Sequence, residues 1–164
     1  MSLGLVWDER CMWHDAGLYF GPQEGSPWVE PIPSLENADG KRRIKNLIDT
    51  SGLIEQLTAL ECVSASEEDI LRVHTPNYLA ELRVVSDAGG GNVAKRMGTT
   101  RVGNKGIEIA LLAAGGAISG VKAVLSSQVD NAYALIRPPG HHAGPSEALG
   151  FCIFANAAIA GNWA

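Results

Sequence analysis

Two adjacent histidines, His141 and His142, stand in a turn rich in proline and glycine, within the stretch ALIRPPGHHAGPSEALGFCIFAN that covers residues 134–156. Histidine is the side chain whose ordinary pKa, about 6.5, lets it take a proton and give it back near neutral pH. Proton transfer is therefore the chemistry the pair suggests. A lone loop histidine is more often simply solvated, whereas two in tandem, boxed between Pro138-Pro139-Gly140 and Gly144-Pro145, leave both readings standing. Their place in the chain adds to the case. The apolar run 132–136 just before them has the length and character of a buried strand. In open α/β sheets ligands gather outside the carboxyl ends of the strands.

The elements that must position this loop can be read in order. Residues 3–7 form a short apolar run ending at Asp8-Glu9-Arg10, which suits a first buried strand. Residues 11–40 carry Pro22, Pro27, Pro31 and Pro33 with Trp13, Tyr19, Phe20 and Trp28 and no sustained period. A loop of that length is usually functional, and its aromatics suggest a wall near the substrate; the plainer alternative is that Trp13 and Trp28 cap the core. Residues 41–51 predict a helix with Ile44, Leu47 and Ile48 on one face, closed by Gly52. Arg42 and Arg43 in its first turn oppose the helix dipole, so they either contact another element or form a solvated basic face. A second strand is expected over 61–65. Ser66 with Asp69 resembles a capping box, and Thr75-Pro76 restarts a helix. His74, between the two, is read as satisfying a backbone group.

Residues 86–100 look irregular, around Gly89-Gly90-Gly91, which lack the strand–helix context of a phosphate loop. The clearest helix spans 104–126, with Ile107, Leu111, Ala114, Ile118, Val121 and Leu125 at three- and four-residue steps and Asn104 as N-cap. Its interior glycines, Gly115, Gly116 and Gly120, cost about 0.5–1 kcal/mol each relative to alanine, so close packing against another element must offset them. A last helix is expected over 152–164. Strands alternating with long helices predict an α/β fold with a mainly parallel sheet, and no repeat or charge block divides residues 1–164 into more than a single domain.

Composition bounds the partners. The chain of 164 residues, 46% hydrophobic and 19% charged, has the make-up of an ordinary globular domain. A net charge of −5 argues against direct nucleic-acid binding, which needs clustered Lys and Arg. It gives a mildly favourable field to a cationic substrate. Cys11, Cys62 and Cys152 are odd in number and without CxxC spacing, which suggests neither a disulfide framework nor a thiolate zinc site. A cytoplasmic location is expected, because residues 1–10 lack a leader pattern and no apolar run approaches the roughly 18 residues of a membrane span.

Arg137-Pro138-Pro139-Gly140-His141-His142-Ala143, followed by Gly150-Phe151-Cys152, resembles the signature of the histone deacetylase family, especially its class II-like bacterial amidohydrolases and acetylpolyamine amidohydrolases. Further matches are Gly4-Leu5-Val6-Trp7, Lys41-Arg42-Arg43, Ile70-Leu71-Arg72-Val73-His74 with Tyr78-Leu79, and Gly103-Asn104-Lys105-Gly106-Ile107-Glu108-Ile109-Ala110. The resemblance implies a three-layer arginase/deacetylase-type fold, of which these residues form the N-terminal portion only. It also implies a zinc-dependent amidohydrolase that removes acetyl or related acyl groups from lysine or polyamine amines. By this resemblance His142 would be general base and acid on a metal-bound water, and His141 would assist electrostatically and hydrogen-bond the same water. Phe151 would line the acyl-lysine tunnel, the Gly150 carbonyl would face the substrate amide, Cys152 would lie near the acetyl-binding floor or merely pack, and Asp87 would either match the family aspartate that hydrogen-bonds the substrate backbone or be an ordinary turn aspartate.

The Zn2+ ligands, two aspartates and a histidine, are expected after Ala164, and none of the four histidines here matches one. The pattern departs from many relatives at Phe154-Ala155-Asn156, where they carry two asparagines after the phenylalanine. Two alternatives stay open: a catalytically dead module that binds an acyl ligand or a partner, and an arginase-like ureohydrolase of the same fold. An apolar final segment that lacks its next strand would expose a hydrophobic edge, so self-association, including a homo-oligomer, is expected of these residues alone.

Overall fold

Strand β1 (Leu3–Val6) is the centre of a three-stranded parallel sheet, with β2 (Leu57–Leu60) on one side and β5 (Asn131–Ala134) on the other. Leu3 faces Leu57 and Asn131, and Val6 faces Leu60 and Ala134. The structure, a computed structural model, describes residues 1–18, 28, 30–96 and 100–164. Parallel neighbours need crossover connections, and helices supply them. Helix α1 (Asp39–Thr50) covers one face of the sheet, where Ile48 meets Leu5 and Leu135. Helix α4 (Ile107–Leu125) covers the other, where Leu112, Ala113 and Ala123 meet Val6, Leu60 and Cys62. Behind α4, the helices α2 (Glu67–Leu71), α3 (Pro76–Asp87) and α5 (Asn156–Trp163) close a second core around Ile70, Tyr78, Leu82, Ile118, Phe154 and Ile159. Burying a side chain of this kind contributes about 1.5–3 kcal/mol.

The interior glycines of α4 have the purpose expected of them. A Cβ at Gly115 would collide with the backbone of Val63, Ser64 and Ala65, and one at Gly116 would come within 2.9 Å of both Cys62 Sγ and Ile136 Cγ2. The helix thus lies directly on the chain that leaves β2, and the Ala65 amide donates to the Leu111 carbonyl at 3.0 Å. That contact corrects the strand expected over 61–65. The residues that pair with β1 are Leu57–Leu60, while 61–65 run on as an extended connection whose polar backbone is partly satisfied by α4. Both segments are apolar enough to read as a strand, and only the register with β1 separates them.

Other boundaries also move for local reasons. Helix α4 begins at Ile107 rather than at an Asn104 cap, because Lys105 takes a left-handed φ of 54° and the Ile107 amide donates to Ser86 Oγ of α3 at 3.3 Å. The irregular stretch expected over 86–100 contains a small antiparallel hairpin, β3 (Gly90–Asn92) with β4 (Arg101–Gly103). Gly90, at φ 91°, lets the strands close, since a Cβ there would sit 2.5 Å from the Val102 carbonyl oxygen. Helix α5 starts at Asn156, so residues 152–155 belong to the histidine loop. Contrary to the expectation that no segment approaches a membrane span, α4 is long and apolar enough to cross one by length and composition. Ten of its residues are buried among the other elements here.

The first connection also differs from a plain loop. It opens with a 3-10 turn (Glu9–Trp13), capped by the Asp8 carboxylate on the Arg10 amide at 2.8 Å. Trp13 and Trp28 are 63% and 92% exposed, so neither caps the core. Tyr19, Phe20, Pro22 and Pro27, to which the proposed aromatic wall also appealed, lie outside the described residues. Arg42 does contact another element, pairing with Glu9, its Nε 3.1 Å from the Glu9 carboxylate.

Candidate active site

The histidine loop leaves the carboxyl end of β5 as the expectation required. The Leu135 amide still donates to the Val6 carbonyl at 3.0 Å, and the chain then turns away through Arg137. This arginine is the anchor of the loop's first end. It is 1% exposed, and all of its guanidinium nitrogens are occupied. Nε donates to both Glu36 carboxylate oxygens at 2.9 and 3.1 Å, Nη1 to the Met12 carbonyl at 2.9 Å and Nη2 to the Glu36 carbonyl at 2.9 Å. Lys41 stands 3.9 Å from the same carboxylate. Burial pushes the Glu36 carboxyl up, against the pull of Arg137 and Lys41. The ion pair joins the first connection, the segment before α1 and the histidine loop at one point.

The other end of the loop is held by the corner between α2 and α3. His74 Nε2 accepts from the Ala155 amide at 2.9 Å, so its proton lies on Nδ1, which faces the Pro145 carbonyl at 3.3 Å. The Thr75 amide donates to the same carbonyl at 2.9 Å, and the Tyr78 hydroxyl donates to the Ile153 carbonyl at 2.7 Å. The reading of His74 as a residue that satisfies backbone groups is what the geometry gives. Asn156 Nδ2 reaches the Pro138 carbonyl at 3.2 Å, and Gly140 makes room for it, since a Cβ there would lie 2.5 Å from Asn156 Cγ.

Between these anchors the predicted residues come together. The rings of His141 and His142 lie 4.1 Å apart, centroid to centroid, tilted by 56°, and both side chains are exposed. The His142 amide donates to Cys152 Sγ at 3.4 Å. Gly150, at φ 54°, lies against the His142 ring, and a Cβ on it would come within 2.6 Å of His142 Cδ2. Phe151 follows with φ 68°, a left-handed backbone that side chains other than glycine rarely adopt. Its amide donates to Thr100 Oγ1 at 3.1 Å. The Gly150 carbonyl lies 3.5 Å from Cys152 Sγ, and burial pushes that thiol up, keeping it neutral. Asp87 is not brought into this group: at the end of α3 its carboxylate pairs with Lys105 Nζ at 2.5 Å.

Three participants carry no local signal. Thr100 and Glu36 are unremarkable polar residues in irregular sequence, and His14 reads as one more loop histidine. His14 is nevertheless 6% exposed, with Nδ1 lacking a hydrogen-bond partner among the described residues. Burial, with the nearby Arg137 charge, holds its pKa down to about 3. Burial also lowers His74.

A pH dependence follows from this pair. Both are lowered from 6.5, so below that pH the unfolded chain binds more protons than the folded one. Their contribution is complete above about pH 6.5 and is lost as pH falls toward the folded value, at up to about 1.4 kcal/mol per unit for each group. Glu36 works in the opposite sense, so the informative comparison is with His74→Gln, which can still donate and accept. The wild type should lose more stability between pH 7.5 and 5 than His74→Gln does, read from denaturant midpoints. Equal losses would refute the role of His74.

Zinc does not fit the residues described. Among them there is no group of three or more His, Cys, Asp or Glu side chains able to hold a metal ion. A catalytic zinc site takes about three protein ligands. Chemically, the loop offers two imidazoles for moving protons, an aromatic residue at Phe151 and a buried neutral thiol.

Residues 34–163 match the histone deacetylase domain. The chain is 45% identical over 159 residues to the histone deacetylase-like amidohydrolase of Pseudomonas aeruginosa, covering 95% of this chain and 41% of that protein. It is 34% identical over 143 residues to the polyamine deacetylase HDAC10 of Danio rerio, covering 84% of this chain and 21% of that protein. In three dimensions it is similar to the crystal structure of the HDA15 HD domain, with a TM-score of 0.82 at 27% identity, covering 98% of this chain and 42% of that one. The chain therefore spans about two-fifths of the Pseudomonas relative. The sheet, the loop beyond its carboxyl end and the extent of the domain match agree, and the chain belongs to the histone deacetylase family.

Proposed function

We propose that the protein carrying this chain is a zinc-dependent amidohydrolase that removes acetyl or related acyl groups from lysine or polyamine amines. The observation that carries the reading is the tandem His141-His142 pair beside Gly150-Phe151-Cys152 at the carboxyl end of a parallel sheet. The relatives named as amidohydrolase and polyamine deacetylase support the substrate class. Residues 1–164 are read as one domain-forming portion of the catalytic unit, working in the cytoplasm, with zinc held by residues beyond them. The net charge of −5 supports a cationic substrate rather than nucleic acid.

The roles within this portion follow from what amide hydrolysis requires. A base must take a proton from the attacking water, and an acid must deliver one to the leaving amine. His142, steadied by Gly150 beneath its ring and by its amide bond to Cys152, is the group for both transfers. His141 assists electrostatically from 4.1 Å away. Phe151 lines the path of the acylated side chain, where an aromatic face supplies contact area to an extended aliphatic chain.

The test is hydrolysis of acetyl-lysine peptide and acetylpolyamine by the complete gene product, with and without a zinc chelator. Phe151→Ala should raise KM for the peptide and shift the preference among acyl chains, with little loss of melting temperature. A large loss of melting temperature at unchanged selectivity would instead make Phe151 a packing residue. Absence of any zinc-dependent acyl hydrolysis by the wild type would overturn the function.

A further inference from the structure

The connection between β3 and β4 is joined to the histidine loop at residues 94–96. Ala94 bridges Ala148, Lys95 Nζ donates to the Ser146 carbonyl at 3.4 Å and Arg96 Nε stands 3.0 Å from Glu147 Oε2. At its far side Thr100, fully buried, meets Phe151. Asn92 closes this connection from within, its Oδ1 accepting from the amides of Ala94 at 3.1 Å and Thr100 at 3.2 Å. The Val93 amide donates to the Thr100 carbonyl at 2.7 Å. Thr100 is thus fixed by two backbone bonds, and its remaining polar atom, Oγ1, is aimed at the Phe151 amide.

We propose that Thr100 is a positioning residue for Phe151: it holds the left-handed backbone of that residue, so the hairpin sets where the aromatic wall stands and which acyl chains it accepts. A left-handed φ of 68° on a phenylalanine persists only where its surroundings hold it. The Thr100 hydroxyl accepts the Phe151 amide bond that does so. The selectivity part of the inference rests on the amidohydrolase reading, whereas the positioning part does not.

Thr100→Val keeps the shape and removes the acceptor, and Thr100→Ser keeps the acceptor. Three quantities are to be measured on the complete gene product: amide hydrogen exchange at Phe151, and kcat and KM on acetyl- and butyryl-lysine peptides. Loss of one hydrogen bond corresponds to about a fivefold to tenfold effect. Thr100→Val should therefore speed Phe151 exchange and raise KM by about that factor, with kcat within about twofold of wild type. The acetyl-to-butyryl ratio should change, and Thr100→Ser should restore the exchange, the KM and the ratio. Asn92→Ala, which loosens the connection that places Thr100, should move the same quantities less.

Wild-type KM and acyl ratio in Thr100→Val, in an active enzyme, would overturn the proposal. So would a general fall in kcat and melting temperature that serine does not repair. If the wild type hydrolyses nothing, the functional reading fails by itself. Exchange at Phe151 then decides the positioning role, and unchanged protection in Thr100→Val refutes it.

Discussion

Arg137→Met will destabilise the fold by about 3–5 kcal/mol, the typical result of removing one partner from a buried, hydrogen-bonded ion pair. The loss is large because the Glu36 carboxylate stays behind: it is buried, and among the described residues the other cation paired with it, Lys41, is 3.9 Å away. Two carbonyls, of Met12 and of Glu36 itself, also lose their donors. Since a domain of ordinary size is stable by only about 5–15 kcal/mol, denaturant titration of the complete gene product should show a much earlier transition. The deficit should shrink as pH is lowered toward the range in which Glu36 takes up a proton. A neutral carboxyl needs no cation, and burial already pushes that group up. Glu36→Gln in the Arg137→Met background should accordingly recover part of the loss, and the cycle of the two changes measures their coupling. An unchanged midpoint in Arg137→Met would mean that the pair contributes nothing to holding the loop.

That ion pair is also the plainest case of what the sequence does not reveal. Arg137 and Glu36 are 101 residues apart, and no period or motif relates them. The arginine stands out only as a charge at the end of an apolar run. By contrast, several features whose cause is local were legible. The 3.6-residue pattern of α4, the Ser66–Asp69 capping box, Pro76 at the start of α3 and Gly52 at φ 74° after α1 appear where expected. The glycines of α4 gave the further correct inference that the helix packs closely on its neighbour, and the partner proved to be the backbone of 63–65 and the Cys62 and Ile136 side chains.

The misses share a different cause. Residues 57–65 are largely apolar, broken only by Thr58, Glu61 and Ser64, and pairing with β1 selects Leu57–Leu60 as the strand. The strands of the hairpin are three residues long and contain three glycines between them, too short for a period of two to register. In that region the family resemblance points to Asp87, the counterpart of a substrate-binding aspartate. The structure instead pairs Asp87 with Lys105 and places Thr100 against Phe151. In the histidine loop, residue types suggested proton-transfer chemistry but not the supports of the loop, because His74, Tyr78, Thr100 and Glu36 all reach it from distant parts of the chain.

The same asymmetry of support separates the two histidines, and it makes their substitution the most informative experiment on the chemistry. The His142 ring lies on Gly150, and its own amide is tied to Cys152 Sγ, whereas the His141 ring lies against the His142 ring, 4.1 Å away. A base is efficient only when its nitrogen is held within reach of the proton it moves, so the better-seated ring is the one expected to carry the transfer. In the complete gene product His142→Ala should lower kcat on an acetyl-lysine peptide by about 10²–10⁴-fold, the usual contribution of a general acid–base group. His141→Ala should retain more activity. With the base gone, an assisting ring has little left to assist, so the double variant should be nearly as active as His142→Ala alone. Melting temperatures should stay close to wild type, since both side chains are exposed. If both single variants kept wild-type turnover, the assignment would be wrong; if His141→Ala were the more damaging, the two roles would be exchanged, and the seat formed by Gly150 and Cys152 would have to be explained by packing alone.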